Sequence, residues 1–248
     1  MSARSRLAAV TFLMCSCLMC STVVASPLPC VTGTLAGYIA LGSTGCTVGP
    51  ALIFNNFSFA VLSSSGGAVA LTPPAIAVDP QIGPGAEYGL NYASSGFSVS
   101  AGQSIQYLLS YTIDPPPIIR GFKLNLFTDP PVFPGFAEIS STECLGAAFS
   151  GSSCSGVPLV QDVFSNGVVS SLQSVQAFSP VGILGDRTTI TLNAASGGSS
   201  SFTSFTESTI SPEPRSALLL AAALAALLIG AGLRRFTVRY WCSGRTEA

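Results

Sequence analysis

The sequence predicts an all-β protein: an antiparallel β-sandwich or jelly-roll-like ectodomain with an N-terminal signal peptide and one C-terminal transmembrane helix. Three observations carry that class. Apolar and polar residues alternate with a period of two through several stretches. Turn formers built from Gly, Pro, Ser and Asp punctuate those stretches at roughly ten-residue intervals. Before the C-terminal apolar run, no segment keeps a 3.6-residue apolar period long enough to specify a helix.

Arg4 and Arg6 form a small positive region, followed by the apolar stretch Leu7 to Met19 and then the small residues Val23-Val24-Ala25. This is the layout of an export signal, with cleavage expected after Ala25 and residues 1–25 removed. Met19 before Cys20 does not fit a lipid-modified cysteine, so the chain is expected to leave the cytoplasm unlipidated.

Residues 26–193 read as the sandwich. Ile105, Tyr107, Leu109, Tyr111 and Ile113 alternate with Ser104, Gln106, Leu108, Ser110 and Thr112, which describes a strand with one face in the core. Phe122, Leu124 and Leu126 interleave with Lys123 and Asn125, and Ile190 and Leu192 with Thr189, Thr191 and Asn193. Further strands are expected in Leu52–Val61, Ala75–Val78, Gly96–Ser100, Phe136–Ser140 and Val168–Val175. Ser63 to Gly67, Gly83-Pro84-Gly85, Asp114-Pro115-Pro116-Pro117 and Asp129-Pro130-Pro131 read as turns between them.

Four cysteines remain after signal removal and before the membrane: Cys30, Cys46, Cys144 and Cys154. Export to an oxidising compartment makes them disulfide partners. Of three pairings, Cys30–Cys46 and Cys144–Cys154 are favoured because short loops close most readily.

From residue 194 to residue 211 the chain is rich in Ser, Gly and Thr and reads as a flexible stalk, although Phe202 and Phe205 depart from a pure linker composition and leave open a last strand with the domain edge near Thr206. Pro212-Glu213-Pro214 follows, then eighteen uncharged residues, Ser216 to Leu233, then Arg234 and Arg235. At about 1.5 Å per residue that run makes a helix of roughly 27 Å, just enough to cross a hydrocarbon core. The basic cluster assigns residues 236–248 to a cytoplasmic tail and everything before Pro212 to the outside.

This order of parts resembles the PEP-CTERM sorting signal, with the resemblance confined to about residues 211–235. Pro212, Glu213 and Pro214 match the recognition triplet, residues 216–233 the membrane segment, and Arg234 and Arg235 the stop. The resemblance implies an exported protein of an exopolysaccharide-producing Gram-negative bacterium, processed by an exosortase, a membrane-embedded cysteine transpeptidase. The expected location is the inner membrane first and the cell surface or extracellular matrix after processing. One departure from the family pattern is the extension past the basic cluster to Ala248.

Composition narrows the chemistry. Between residues 26 and 211 there are three bases, Arg120, Lys123 and Arg187, against nine acids, so nucleic acid is not an expected partner. The 248 residues contain no histidine, which excludes Ser-His-Asp and Cys-His catalysis and the usual zinc hydrolase sites. No phosphate loop, dinucleotide fingerprint or calcium loop occurs, so no metal or cofactor is expected. Paired carboxylates are the one catalytic option, drawn from Glu138, Glu143, Asp162 and Asp186. Positions five apart on a strand face opposite ways, so Glu138 and Glu143 make a poor pair, and solvated loop carboxylates are the preferred reading. Sugar binding through Tyr38, Tyr88, Tyr92, Tyr107 and Tyr111 is weighed and set below a core role, leaving exopolysaccharide as the alternative partner. The expectation is a surface protein without catalytic activity.

Overall fold

The structure, a computed structural model, describes residues 27–49, 52–114, 119–128, 135–194 and 198–211. The signal peptide, Pro212-Glu213-Pro214, the segment 216–233, Arg234, Arg235 and the tail 236–248 lie outside them. Among the described residues no helix is long and apolar enough to cross a membrane.

In chain order, the first half comprises β1 (Gly33–Thr34), α1 (Leu35–Ala40), β2 (Cys46–Val48), β3 (Leu52–Ser65), β4 (Ala77–Gly83), β5 (Glu87–Ala93), β6 (Ser98–Val99) and β7 (Ser104–Asp114). The middle of the chain forms β8 (Ile119–Phe127), β9 (Gly135–Leu145), β10 (Phe149–Ser150), β11 (Ser153–Cys154), β12 (Val157–Ser165) and β13 (Ser170–Ser171). The last strands are β14 (Gln173–Val181), β15 (Leu184–Ala194), β16 (Ser200–Ser201) and β17 (Ser204–Ile210).

Seven strands pair in the order β13-β12-β9-β15-β7-β3-β2, and six in the order β1-β4-β5-β17-β8-β14; every pairing is antiparallel. The inner faces of both sheets feed one hydrophobic core, which is the sandwich the alternation predicts. Ile105, Tyr107, Leu109, Tyr111 and Ile113 all point into it, and so do Phe122, Leu124, Leu126, Ile190 and Leu192. Aromatic rings fill one end, where Phe97 stacks on Phe202 at 4.4 Å between centroids. The single short helix, α1, starts at Thr34, whose hydroxyl accepts a hydrogen bond from Gly37 N at 3.3 Å.

Both expected disulfides are formed, Cys30–Cys46 and Cys144–Cys154. The first ties the N-terminal segment to β2, and the second ties the end of β9 to β11.

The stalk expected at 194–211 requires correction, and with it the domain edge at residue 193. Residues 204–210 are β17, paired on one side with β5 and on the other with β8. The domain therefore runs to Ser211. Ser and Thr are as compatible with a pleated strand as with a linker. What decides is Phe202 and Phe205, both buried, with Phe205 stacked on Tyr92 at 4.9 Å.

Smaller differences have local causes. Leu52–Val61 extends through Ser63–Ser65, so the expected turn is confined to Gly66-Gly67. Gly66 needs its positive φ of 64° and a bare Cα, since a Cβ there would lie 2.1 Å from the Gly102 carbonyl oxygen. The stretch Val168–Val175 splits between β13 and β14. Pro73–Ala75 is a 3-10 turn and the strand begins at Ala77, carrying Pro80.

Candidate functional site: a buried carboxyl cluster

The alternation of β9 places Ala137, Ile139, Ser141 and Glu143 on its inner face, with Glu138 on the outer one. Glu138 and Glu143 therefore point to opposite faces, as their spacing requires. Register then builds two polar rows inside the seven-stranded sheet. Glu143, Asp186 and Tyr111 sit side by side across β9, β15 and β7. In the next row Gln161, Ser141 and Thr188 align across β12, β9 and β15. From the facing sheet, Phe205, Glu207 and Thr209 of β17 enter the same core.

Glu143, Asp186 and Glu207 are each fully buried. This corrects the reading of Glu143 and Asp186 as solvated loop carboxylates. Asp162, on the outer face of β12, remains exposed, and Glu138 is half-buried. Composition alone gave no sign of Glu207; the one available signal was its place in the alternation Phe205, Glu207, Thr209.

The cluster is held by hydroxyls and one amide. Ser141 Oγ donates to Asp186 Oδ2 at 2.7 Å, and Thr188 Oγ1 lies 2.8 Å from Asp186 Oδ1. Thr188 Oγ1 also contacts Glu207 Oε1, linking the two sheets. Gln161 Nε2 faces Glu143 Oε1 and the Phe122 carbonyl oxygen, each at 3.4 Å, a second link between sheets. Glu143 Oε2, Glu207 Oε2, Gln161 Oε1 and the hydroxyls of Tyr92 and Tyr111 make no hydrogen bond of ordinary geometry.

Burial dominates the electrostatics. It pushes Glu143 up to about 9, helped by the neighbouring Asp186 charge. Burial also raises Asp186, to about 7, against the lowering effect of the hydrogen bonds from Ser141 and Thr188. Glu207 is raised well above the carboxylate range by burial first and by Asp186 second. Tyr92 and Tyr111 are raised for the same first reason.

No described base relieves this. Lys123 pairs with Glu87 at 3.1 Å, Arg187 lies over the Phe149 ring, and Arg120 is exposed. Among the described residues no group of three His, Cys, Asp or Glu side chains is disposed to hold a metal ion. The clefts lined by Ala75, Ser94, Phe97 and Thr203, and by Leu28, Tyr38 and Leu41, lie elsewhere. The acids are in a polar core, not in a cleft that admits a glycan.

None of the tyrosines considered for sugar binding is exposed. Tyr38, Tyr92, Tyr107 and Tyr111 are buried and Tyr88 is half-buried. Tyr38 donates to the Val31 carbonyl at 3.0 Å, and Tyr107 accepts from Leu71 N at 3.0 Å. Among the described residues Phe127, 51% exposed, is the single exposed aromatic ring.

One consequence is testable at Tyr92. Its ring packs on Phe205, but its hydroxyl is buried without a well-formed hydrogen bond. Tyr92→Phe is expected to stabilise the domain by about 1–3 kcal/mol, since it removes an unpaired polar group and keeps the ring. Calorimetry should show a higher thermal midpoint. A lower one would mean that the hydroxyl has a partner.

No family model matches this chain, and no curated protein matches it. Among solved structures it is similar to the carbohydrate-binding module TmCBM61, determined in complex with beta-1,4-galactotriose. The identity is 12%, the match covers 61% of this chain and 86% of that one, and the TM-score is 0.32. A likeness of that degree does not bear on what this chain binds.

Proposed function

We propose that this protein is an exported, non-enzymatic β-sandwich of the cell surface or extracellular matrix. It is anchored by residues 216–233 and sorted at Pro212-Glu213-Pro214 by an exosortase-type transpeptidase. The observation that carries the reading is the pair of disulfides, each closing a short local loop. Such bridges persist in oxidising compartments, which agrees with an export signal at residues 1–25. The end of β17 adds to it: only Ser211 separates that strand from Pro212. The domain would be delivered close to the membrane surface, without a spacer.

Binding to exopolysaccharide is the alternative role. It calls for a row of exposed rings, whereas the described surface offers Phe127 alone.

The test is intact mass and fractionation of the protein from its native host, beside a variant with Pro212, Glu213 and Pro214 all changed to Ala. The wild type should lose everything after about Pro214 and leave the inner membrane. The variant should keep its residues through Ala248 and stay there. If both forms stay intact in the inner membrane, the sorting reading fails.

A further inference from the structure

Counting hydrogens at Thr188 exposes a constraint that the fold imposes on its own acids. A threonine hydroxyl has one proton, and an ionised carboxylate only accepts. Thr188 Oγ1 nevertheless lies in hydrogen-bonding contact with two carboxyl oxygens, Asp186 Oδ1 and Glu207 Oε1. The hydroxyl can donate to one of them, so the other must donate to it and must carry a proton. Asp186 already accepts from Ser141 on Oδ2, which suits it as the acceptor. The order consistent with both Thr188 contacts is a Glu207 carboxylic acid donating to Thr188, with Thr188 and Ser141 both donating to Asp186.

The position of this chain of bonds matters as much as its content. Glu207 lies on β17, flanked by β5 and β8 in one sheet; Asp186 and Thr188 lie on β15, flanked by β9 and β7 in the other. The contact therefore joins the middle strands of the two layers.

The titratable groups around it are all acids or phenols. Tyr92 faces it from β5, Tyr111 from β7 and Glu143 from β9. Asp162 on β12 acts on Glu143, and Tyr38 on α1 acts on Tyr92. None supplies a positive charge that could replace the proton.

We propose that Glu207, Thr188 and Asp186 form a proton-held clasp that keeps the two sheets closed at acidic and neutral pH and is released at alkaline pH. Loss of the proton sets two carboxylates and a single hydroxyl against each other in a core that water does not reach. Opening the sandwich to solvent relieves that repulsion. For a protein outside the cytoplasm, ambient pH would then set how tightly the domain is shut.

The sign follows from linkage. Asp186 and Glu207 keep their protons when folded at pH values where the unfolded chain has lost them. Their contribution is complete below the unfolded carboxylate range of about pH 4 and is lost as pH rises through the folded values. Asp186, raised to about 7, ionises first, so above neutrality it is the acceptor and the proton that holds the clasp is the one on Glu207.

The test uses the full-length protein in detergent, unfolded by urea at several pH values between about 5 and 9, with far-ultraviolet circular dichroism as the probe. Each retained proton makes the unfolding equilibrium constant rise about tenfold per pH unit across the window. Glu207→Gln keeps a donor to Thr188 but has no proton to lose, so its slope should fall by about one such factor. Should that variant fail to fold, infrared spectroscopy on Glu143→Gln, which removes the other raised carboxyl of this core, is decisive. A protonated buried carboxyl gives its own carbonyl stretch, which should disappear as alkali opens the domain and return on acidification. The proposal is overturned by a wild-type constant that does not change with pH, by a Glu207→Gln slope equal to wild type, or by absence of the infrared band. Abolition of the alkaline loss by millimolar calcium would also overturn it, because a cation would then be the resident charge.

Discussion

Deletion of residues 204–210 is expected to leave no cooperatively folded domain. A Ser/Gly/Thr-rich stalk could be shortened without consequence, but β17 is hydrogen-bonded along its whole length to β5 on one side and β8 on the other. Without it the six-stranded sheet splits into two pieces. The core loses Phe205, and the paired sheet loses the Glu207 contact to Thr188. Phe205→Ala is the graded version. Truncating a large buried aromatic costs about 3–5 kcal/mol, against a total stability of roughly 5–15 kcal/mol for an ordinary domain.

Gly89 tests the same packing from the neighbouring strand. A Cβ there would lie 2.1 Å from the Glu207 carbonyl oxygen and 2.6 Å from Ser208 Cα, so β5 and β17 must separate to admit it. Thermal melts followed by circular dichroism are the measurement. A deletion variant that still melts cooperatively near the wild-type midpoint would show that β17 is dispensable, and the stalk reading would return.

Removal of both disulfides is the second large effect. The loops closed are 16 residues for Cys30–Cys46 and 10 for Cys144–Cys154. The chain-entropy relation puts each at about 3 kcal/mol, through the conformations denied to the unfolded chain. Lost together they amount to about 6 kcal/mol, comparable with the whole stability of a marginal domain. The quadruple Cys→Ser variant, compared with wild type in urea, should show a much lower midpoint. Wild type should approach that midpoint when reductant is added. Equal stability of oxidised and reduced protein would remove the physical ground for linking these cysteines to an oxidising compartment.

The local readings that held share one physical basis: each depended on residues close together in the chain. Period-two alternation from Ile105 to Ile113 is enough to say which face of β7 enters a core, whatever lies opposite. Gly83-Pro84-Gly85 ends β4 because its residues suit a turn. The two cysteine couples closed because a short loop has less entropy to lose. Strands without clean alternation were not legible in this way. β12 begins Val157-Pro158 and exposes Val157 and Val160.

By itself, then, the chain determined an all-β domain, its strongest strands and its two disulfides, because alternation and loop closure act over a few residues. Tertiary structure alone decided that residues 204–210 are a central strand and that Glu143, Asp186 and Glu207 meet in the core. A carboxylate is spaced along a strand in the same way whether its face meets water or another sheet. Only the pairing of β17 between β5 and β8, and the packing of that sheet on β15, sets Glu207 against Thr188 and turns three ordinary acids into a group that must hold a proton.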